Sequence, residues 1–223
     1  MPESTTVFPA RKIITMDPGQ PESTAVAVSG GRITAVGTLE DLQDTGTVDD
    51  TFADAVLCPG LIDQHLHPVL GAATLVTEVI AVEDWVMPDK TFPAAHSPQE
   101  YQRRLTAAER ALADPDEWLF SWGYHKLWHG PLDRAALDSI ISTGPVVVWQ
   151  RSGHEFFLNT AAIEKLGLTA EQMTGHGAAS EMVDFDAGHW WESGTNLLLP
   201  KLSPVLMSTR RLTAGLKQLV AYL

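Results

Sequence analysis

The segment 58–68, which reads CPGLIDQHLHP, constrains the fold of this chain more than any other part of its sequence. Its apolar Leu-Ile pair predicts the start of a strand, and side chains two residues apart along a strand point the same way. Asp63, His65 and His67 are therefore expected on one face. Pro68 cannot continue a central strand, so we expect the two histidines at its carboxyl end, where parallel α/β folds form their active sites.

The two histidines of this segment leave two interpretations open. Neutral imidazoles that converge from a rigid strand bind a divalent metal such as Zn²⁺. Alternatively, the strand lies at the edge of a sheet and both rings are exposed, because so short a motif recurs by chance. Asp63 either orients a histidine through a hydrogen bond or simply ends the strand.

Short strands are predicted before this segment, in residues 1–58. The runs 25–28 and 33–36 are rich in β-forming residues and flank Gly30 and Gly31. Glycine tolerates the positive φ of tight turns, so this pattern predicts a hairpin. No G-x-G-x-x-G follows the glycine pair, and no phosphate-binding loop is expected there.

Strands and helices alternate in residues 59–223, which predicts a parallel α/β sheet or barrel. Strands are expected at 118–123 and 145–150. The segment 82–96 has few periodic apolar residues and is expected to be an irregular insertion. Cap residues and apolar spacing predict helices at 97–113, 133–140, 159–166 and from about 207 to the end of the chain.

The composition excludes several classes of partner. The 223 residues carry 15 Lys+Arg against 28 Asp+Glu, and a net charge of −13 disfavours nucleic acid and anionic membranes. No stretch approaches the ~20 apolar residues that span a bilayer, and the first residues lack the features of a signal peptide. The single cysteine, Cys58, is expected to be buried, and its isolation fits a reducing cytoplasm as the location of the protein.

Four blocks of sequence resemble the amidohydrolase superfamily. CPGLIDQHLHP resembles its metal-binding strand, and ARKIITMDP…STAVAVSGGRITAVGTLEDL resembles its small β-sandwich. WGYHKLWHGPLDRAALDSI and PVVVWQRSGHEFFLNTAAIEKLGL are similar to amidohydrolase family 3, the branch of the N-substituted formamide deformylase-like enzymes. The resemblance implies the N-terminal part of a β-sandwich in residues 1–58, followed in residues 59–223 by the first strands and helices of a (β/α)₈ barrel.

This resemblance also implies a chemistry and a set of site residues. The family hydrolyses non-peptide amide-type C–N bonds with one or two divalent metal ions, usually zinc, that activate water. His65 and His67 match the first two metal ligands. His154 matches a histidine for which substrate contact is implied, although it is otherwise a loop residue. Glu192 falls where the family tends to place a glutamate, which bridges or neighbours a metal or is merely an exposed acid.

The remaining aromatic and histidine residues allow less specific expectations. His189 would share a helical face with Glu192 if both lay on one helix. His125 departs from the family, which often has an acid near that position, and it either changes substrate preference or is merely solvated. His96 and His176 are expected in loops. Four tryptophans either line a substrate pocket or pack in the core, namely Trp118, Trp122, Trp128 and Trp149.

The length of the chain limits what it is expected to do alone. A (β/α)₈ barrel takes about 250 residues, with roughly 200 as a lower bound, whereas 165 residues run from Pro59 to Leu223. The family's later ligands and its late aspartate have no candidates after Glu192, so the catalytic residue stays unknown. We therefore expect the N-terminal portion of a hydrolase of small amide-like molecules, completed by a missing C-terminal half or a second copy. The alternatives are a non-catalytic amidohydrolase-like domain and, within the same superfamily, a ring deaminase.

Overall fold

The computed structural model describes residues 4–87, 89–114, 116–141 and 143–222. They form two compact units that divide between Leu66 and His67. The first three residues of the chain, part of the stretch that lacks signal-peptide features, lie outside the described residues. So does Leu223, the end of the predicted last helix.

The first unit is built on a sheet of five strands: β1 (Thr6–Ile14), β2 (Glu22–Ser29), β3 (Arg32–Gly37), β4 (Thr47–Val48) and β5 (Val56–Leu57). The strand order is β3-β2-β1-β4, and β5 also pairs with β1. β1, β2 and β3 are antiparallel neighbours, while β4 and β5 run parallel to β1. A short helix, α1 (Leu39–Leu42), follows β3.

The hairpin predicted in this unit is confirmed. Gly30 and Gly31 form the turn between β2 and β3 with φ of 57° and 71°, values that a side chain would make costly. Alternation along the strands buries Val7, Ala25 and Ala27 on one face, where Leu42 of α1 packs against them.

The second unit contains the remaining strands: β6 (Glu78–Val79), β7 (Trp85–Val86), β8 (Thr91–Phe92), β9 (Leu119–Tyr124), β10 (Val146–Gln150), β11 (Glu155–Leu158), β12 (Val183–Asp184) and β13 (His189–Trp191). Six of them form one sheet in the order β12-β13-β11-β10-β9-β6, and β7 pairs with β8. β6, β9 and β10 are parallel, whereas β11, β13 and β12 continue the sheet in antiparallel pairs. The fold is therefore mixed α/β.

Helices cover both faces of this sheet: α2 (Pro68–Leu75), α3 (Pro98–Arg110), α4 (Lys126–His129), α5 (Arg134–Ile140), α6 (Thr160–Leu166), α7 (Ala178–Glu181), α8 (Thr195–Leu206) and α9 (Thr209–Tyr222). One apolar cluster joins Trp149, Leu158 and Trp190 to residues of α6 and α8. A second cluster joins Val146 and Val148 on the opposite face to residues of α3 and α5. No helix within the described residues is long and apolar enough to cross a membrane.

The caps predicted at Ser97 and Asn159 are confirmed, and the structure adds a third cap at Asp133. The side chain of Ser97 accepts a hydrogen bond from the backbone N–H of Glu100, and Asp133 caps α5 in the same way. Asn159 does more than cap α6, because its Oδ1 also accepts from the backbone N–H of Val146. Asn159 is only 2% exposed, so one buried amide joins the start of α6 to the start of β10.

The structure corrects the expectation of a strand at the H-x-H motif. Residues 58–67 have no regular secondary structure, and Leu61 and Ile62 are 98% and 85% exposed. Apolar residues form a strand only where a neighbouring edge pairs with them and one face is buried. Cys58 is exposed as well, because the same segment gives it nothing to pack against.

Three further expectations about secondary structure were wrong. His189 and Glu192 do not share a helix, since His189 lies in β13, where aromatic side chains pair across the sheet with β11. The sheet is not purely parallel, because β11 returns directly after β10. The helix α8 was not expected at all, since Pro200 and Pro204 lie inside it and proline normally interrupts a helix.

Candidate functional site

The carboxyl edge of the six-stranded sheet brings several candidate residues together. β9 and β10 end there at Tyr124 and Gln150, and β11 begins there because it runs antiparallel to β10. β13 ends at the same edge, with Trp191 opposite Glu155. Side chains from four strands and their loops therefore meet where α/β proteins place their sites.

His154 and Glu192, two residues singled out from the sequence, are in direct contact at this edge. The Nδ1 atom of His154 lies 3.0 Å from Oε2 of Glu192, and the backbone N–H of Glu192 donates to the His154 carbonyl at 2.9 Å. Both side chains are more than half exposed. Glu192 has a φ of 44°, which is unusual for a residue with a side chain and is found in sites that constrain their geometry.

An ion pair links the same edge to the residues that follow β6. Arg151, directly after β10, donates a hydrogen bond to the carboxylate of Glu83. Trp85 Nε1 donates to the other carboxylate oxygen at 3.3 Å. Burial alone would raise the pKa of Glu83, but the bonds from Arg151 and Trp85 outweigh it, so that pKa lies below its usual value. Glu83 is therefore a carboxylate at neutral pH.

The two histidines of the H-x-H motif lie in an exposed segment. The backbone N–H of His65 donates to Oδ1 of Asp63 at 2.9 Å, and His67 precedes the first residue of α2. Imidazole is a ligand type that zinc prefers, and a zinc site takes three or four protein ligands. Among the residues that the structure describes, no group of three or more His, Cys, Asp or Glu side chains is placed to hold a metal ion. The donor type fits zinc, and the described residues supply only part of a coordination sphere.

A second histidine–carboxylate pair, between His189 and Glu155, was missed by the reasoning from sequence. His189 Nε2 lies 2.9 Å from Oε2 of Glu155, and the His189 ring stacks on Phe157 with centroids 4.2 Å apart. Burial lowers the pKa of His189, against the opposing effect of Glu155. The signal available in the sequence was the alternation in Glu155-Phe-Phe157, which places Glu155 and Phe157 on the same face of a strand.

His129, at the end of α4, is buried. Its Nδ1 accepts from the backbone N–H of His125 at 3.0 Å, and its Nε2 is 2.9 Å from the carbonyl of Ala95. The ring stacks on Tyr101, with centroids 4.6 Å apart. Because both ring nitrogens bond to the backbone, His129 fixes the loop after β9 to the residues that precede α3. His125 caps α4 by accepting from the N–H of Leu127.

A cavity lies at the opposite, amino edge of the sheet. It has a volume of about 370 Å³ and is lined by Glu78 and Leu119, which begin β6 and β9, and by Arg211 of α9. The Arg211 guanidinium lies over the Phe120 ring and donates to the Val76 carbonyl at 2.7 Å. The arginine is thus occupied in joining α9 to the sheet, and we place the candidate site at the carboxyl edge.

The tryptophans divide between the core and the surface. Trp149 is buried in the cluster against α6 and α8, and Trp118 and Trp122 pack partly against it. Trp128 is 48% exposed, with its ring 5.6 Å from that of His96. Trp149 therefore has a packing role.

The sequence is similar to one family model and to several known proteins. Residues 25–45 match the family model of the imidazolonepropionase-like composite domain of bacteria. The chain is 27% identical over 185 residues to an N-substituted formamide deformylase of Arthrobacter pascens, with 78% of this chain and 32% of that protein covered. It is 26% identical over 161 residues to Protein LONG AFTER FAR-RED 3 of Arabidopsis thaliana, covering 70% of this chain and 25% of the relative.

A solved structure shares the fold. The crystal structure of an uncharacterized metal-dependent hydrolase from Pyrococcus horikoshii matches with a TM-score of 0.64 and 17% identity, covering 96% of this chain and 40% of that one. These matches support the amidohydrolase superfamily as the family of this chain. The chain spans about a quarter to a third of the two curated relatives.

Proposed function

We propose that this chain carries part of the active site of a metal-dependent hydrolase that cleaves non-peptide amide C–N bonds. The observation that carries the proposal is the contact between His154 and Glu192 at the carboxyl edge of the sheet, the edge at which Arg151 binds Glu83. The matches give further support, since one relative is named N-substituted formamide deformylase and the fold neighbour is described as a metal-dependent hydrolase. They favour the amidohydrolase family 3 branch.

The proposed architecture is the first part of a (β/α)₈ barrel preceded by part of a β-sandwich. Its support is the succession of β6, α3, β9, α5 and β10, in which each helix connects two neighbouring parallel strands. This is the repeating unit of such barrels. The short β7–β8 hairpin interrupts the first of these connections.

The proposed metal ligands are His65 and His67, with Glu192 as a further candidate. Zinc, as one or two ions, suits two neutral imidazoles. When bound, it supplies a water molecule of lowered pKa and polarises the carbonyl group under attack. The described residues bring together no group of three or more side chains that could hold the metal, so the proposed set of ligands is incomplete.

His154 is proposed to contact the substrate, and Glu192 to orient it. A carboxylate that accepts from Nδ1–H leaves Nε2 of a neutral imidazole as a hydrogen-bond acceptor. That atom would accept from the N–H of an amide substrate. The exposure of both side chains leaves room for a substrate at this edge.

Metal binding tests the proposed ligands. We expect the chain to bind Co²⁺, a spectroscopic substitute for zinc, with an absorption spectrum of imidazole coordination. His65→Ala and His67→Ala should each weaken binding at least about tenfold, since loss of a single ligand is at least as costly as loss of a group that supports it. His176→Ala, at an exposed histidine on another loop, is the control and should not change the affinity. Equal affinity in all four proteins would exclude His65 and His67 as ligands.

Substrate turnover tests the reaction class. The chain alone with zinc should release no formate from N-substituted formamides, because the described residues hold no complete metal site. A fusion in which residues 1–223 replace the matching segment of the Arthrobacter pascens deformylase should release formate, and His65→Ala should abolish that activity. A folded fusion that releases ammonia from cyclic amidines but no formate would point to a deaminase. A folded fusion that is inactive on both substrates would contradict the proposed hydrolase.

A further inference from the structure

A small cavity beside the His189–Glu155 pair is separate from the His154–Glu192 contact. Its volume is about 150 Å³, and six of its lining residues carry the inference: Tyr124, Lys126, Gln150, Glu155, Phe157 and His189. They come from β9, α4, β10, β11 and β13. We propose that this cavity is a binding site for a small zwitterion of the size of glycine, with its ammonium group on Glu155 and its carboxylate on Lys126 and Gln150.

The position of Glu155 is set by its neighbours on the sheet. Its Oε2 is held by the imidazole of His189 at 2.9 Å, while Oε1 has no hydrogen-bond partner among the described residues. The ring of His189 is fixed in turn by stacking on Phe157 and by Trp191, whose ring centroid lies 4.7 Å away. Oε1 of this half-buried carboxylate is therefore held in place without a hydrogen-bond donor, and a cation would bind it most strongly.

The opposite charge is supplied by Lys126. Its ammonium group forms no hydrogen bond or salt bridge with the part of the chain that the structure describes, although it lines the cavity. Gln150 accepts from the backbone N–H of Ser152 through Oε1, which leaves its NH₂ group as a donor. A carboxylate is the group that both an ammonium and an amide NH₂ bind.

The remaining polar group is already engaged. The hydroxyl of Tyr124 donates to the carbonyl of Gly130 at 2.7 Å. Burial, together with the charge of Glu155, raises the pKa of Tyr124 to about 12, so the phenol stays neutral. Tyr124 and the apolar side chains of Pro131 and Leu132 form walls and do not compete for either end of the ligand.

The volume sets the size of the ligand. A water molecule occupies about 30 Å³ in the liquid, so a cavity of about 150 Å³ has the volume of roughly five water molecules and admits only a small ligand. Glycine is the smallest amino acid and carries one ammonium and one carboxylate group, so it fits this volume and reaches both ends of the site with the fewest other contacts. The glycine site needs no metal ion and neither His65 nor His154, so binding of glycine does not depend on the proposed hydrolysis.

Titration of the full chain with glycine in the presence of EDTA tests the site. The readouts are the ¹H–¹⁵N signals of the His189 ring and of the backbone amides of Gln150 and Glu155. We expect saturable shifts with a millimolar dissociation constant, because so few atoms limit the affinity. Acetate and methylammonium each satisfy one end only and should bind at least about tenfold more weakly than glycine.

Two variants remove one end of the site each. Glu155→Gln and Lys126→Met should each weaken glycine binding at least about tenfold, since each removes a charge-assisted contact. Glu164→Gln and Lys201→Met change the same charges at exposed positions on α6 and α8 and should bind like the wild type. Lys126 is exposed, so its variant is informative even if Glu155→Gln fails to fold. The proposal is overturned if glycine causes no shift at about 50 mM, if acetate binds as tightly as glycine, or if folded Lys126→Met binds like Lys201→Met.

Discussion

The segment 58–67 and the antiparallel pair β11–β13 both carry candidate site residues, and the protein holds them very differently. In the first, Leu61 is 98% exposed and no regular secondary structure surrounds His65. In the second, Trp190 is fully buried, and the strands that bear or adjoin His154, His189 and their acidic partners are paired across the sheet.

This difference shows that the strength of a sequence signal and the rigidity of a site are separate properties. The H-x-H motif is recognisable because its residue types and spacing are specific, and neither requires a neighbouring strand. The β11–β13 pair has no such motif, yet backbone hydrogen bonds and apolar contacts fix its side chains. Substitutions in segment 58–67 and in the six-stranded sheet with its adjoining loops test this contrast.

The largest effect is expected from removing matched leucine side chains. Leu158→Ala empties a fully buried position on β11 and should lower the free energy of unfolding by about 2–5 kcal/mol. Leu61→Ala removes the same atoms from an exposed position and should change it by less than about 0.5 kcal/mol. Urea denaturation measures both. Similar losses in the two variants would show that segment 58–67 is packed in solution.

A pair of glycine substitutions tests the turn before β13. A Cβ at Gly188, where φ is 63°, would lie 2.3 Å from the carbonyl oxygen of Leu158, so Gly188→Ala should cost about 2–4 kcal/mol. Gly177 has a φ of 58° with nothing near its Cβ position, and Gly177→Ala should cost only about 1 kcal/mol of backbone strain. Thermal unfolding measures the difference. Equal costs would mean that the close approach of Gly188 to Leu158 does not constrain β13.

Acid should destabilise the carboxyl edge through His129. Burial, the largest cause, lowers the pKa of His129, while its hydrogen bond to Ala95 opposes the shift. The unfolded chain therefore takes up a proton near pH 6.5 that the folded state resists. This contribution to stability is complete above about pH 6.5 and is lost as the pH falls through the lower pKa of the folded state.

Urea unfolding between about pH 8 and pH 5 checks this dependence. His129→Gln should be less stable than the wild type at the upper end, because it loses the buried bonds of His129 to Ala95 and His125. Its stability should decrease less as the pH falls. The same slope in both proteins would show that His129 is not responsible.

The smallest effect is expected at the exposed pair of His154 and Glu192. Glu192→Gln should change the free energy of unfolding by less than about 1 kcal/mol, because both side chains are more than half exposed. The orientation of the His154 ring should change instead, which the tautomer-sensitive ¹⁵N shifts of its imidazole report. An unchanged ring spectrum would contradict the role of Glu192 as the group that orients His154.

Much of the local structure could be predicted from the sequence because short-range chemistry determines it. Ser97, Asp133 and Asn159 cap helices through their own side chains, and the glycine pair at 30–31 permits its turn without distant contacts. The strands β9 and β10 followed from continuous apolar runs. The resemblance to the amidohydrolase superfamily followed from blocks of sequence, and the matches to known proteins support it.

The arrangement of the site could not be predicted in the same way. His154 and Glu192 are 38 residues apart along the chain, and Glu155 meets His189 across 34 residues. Only the return of β11 beside β10 and the pairing of β13 with β11 bring each pair to within 3.0 Å. Burial of His129 likewise depends on a carbonyl 34 residues away, at Ala95.

The sequence by itself therefore determined the caps, the turn, the main strands and the resemblance to a superfamily, because these depend on residue type and spacing along the chain. The tertiary structure decided which apolar runs became strands and which acids met which histidines. The reason is that a strand forms only against a paired neighbour. A hydrogen bond between distant residues likewise exists only once the sheet has set its register. In segment 58–67 the two histidines were recognised from the sequence, whereas only the structure showed that no neighbouring strand pairs with the segment.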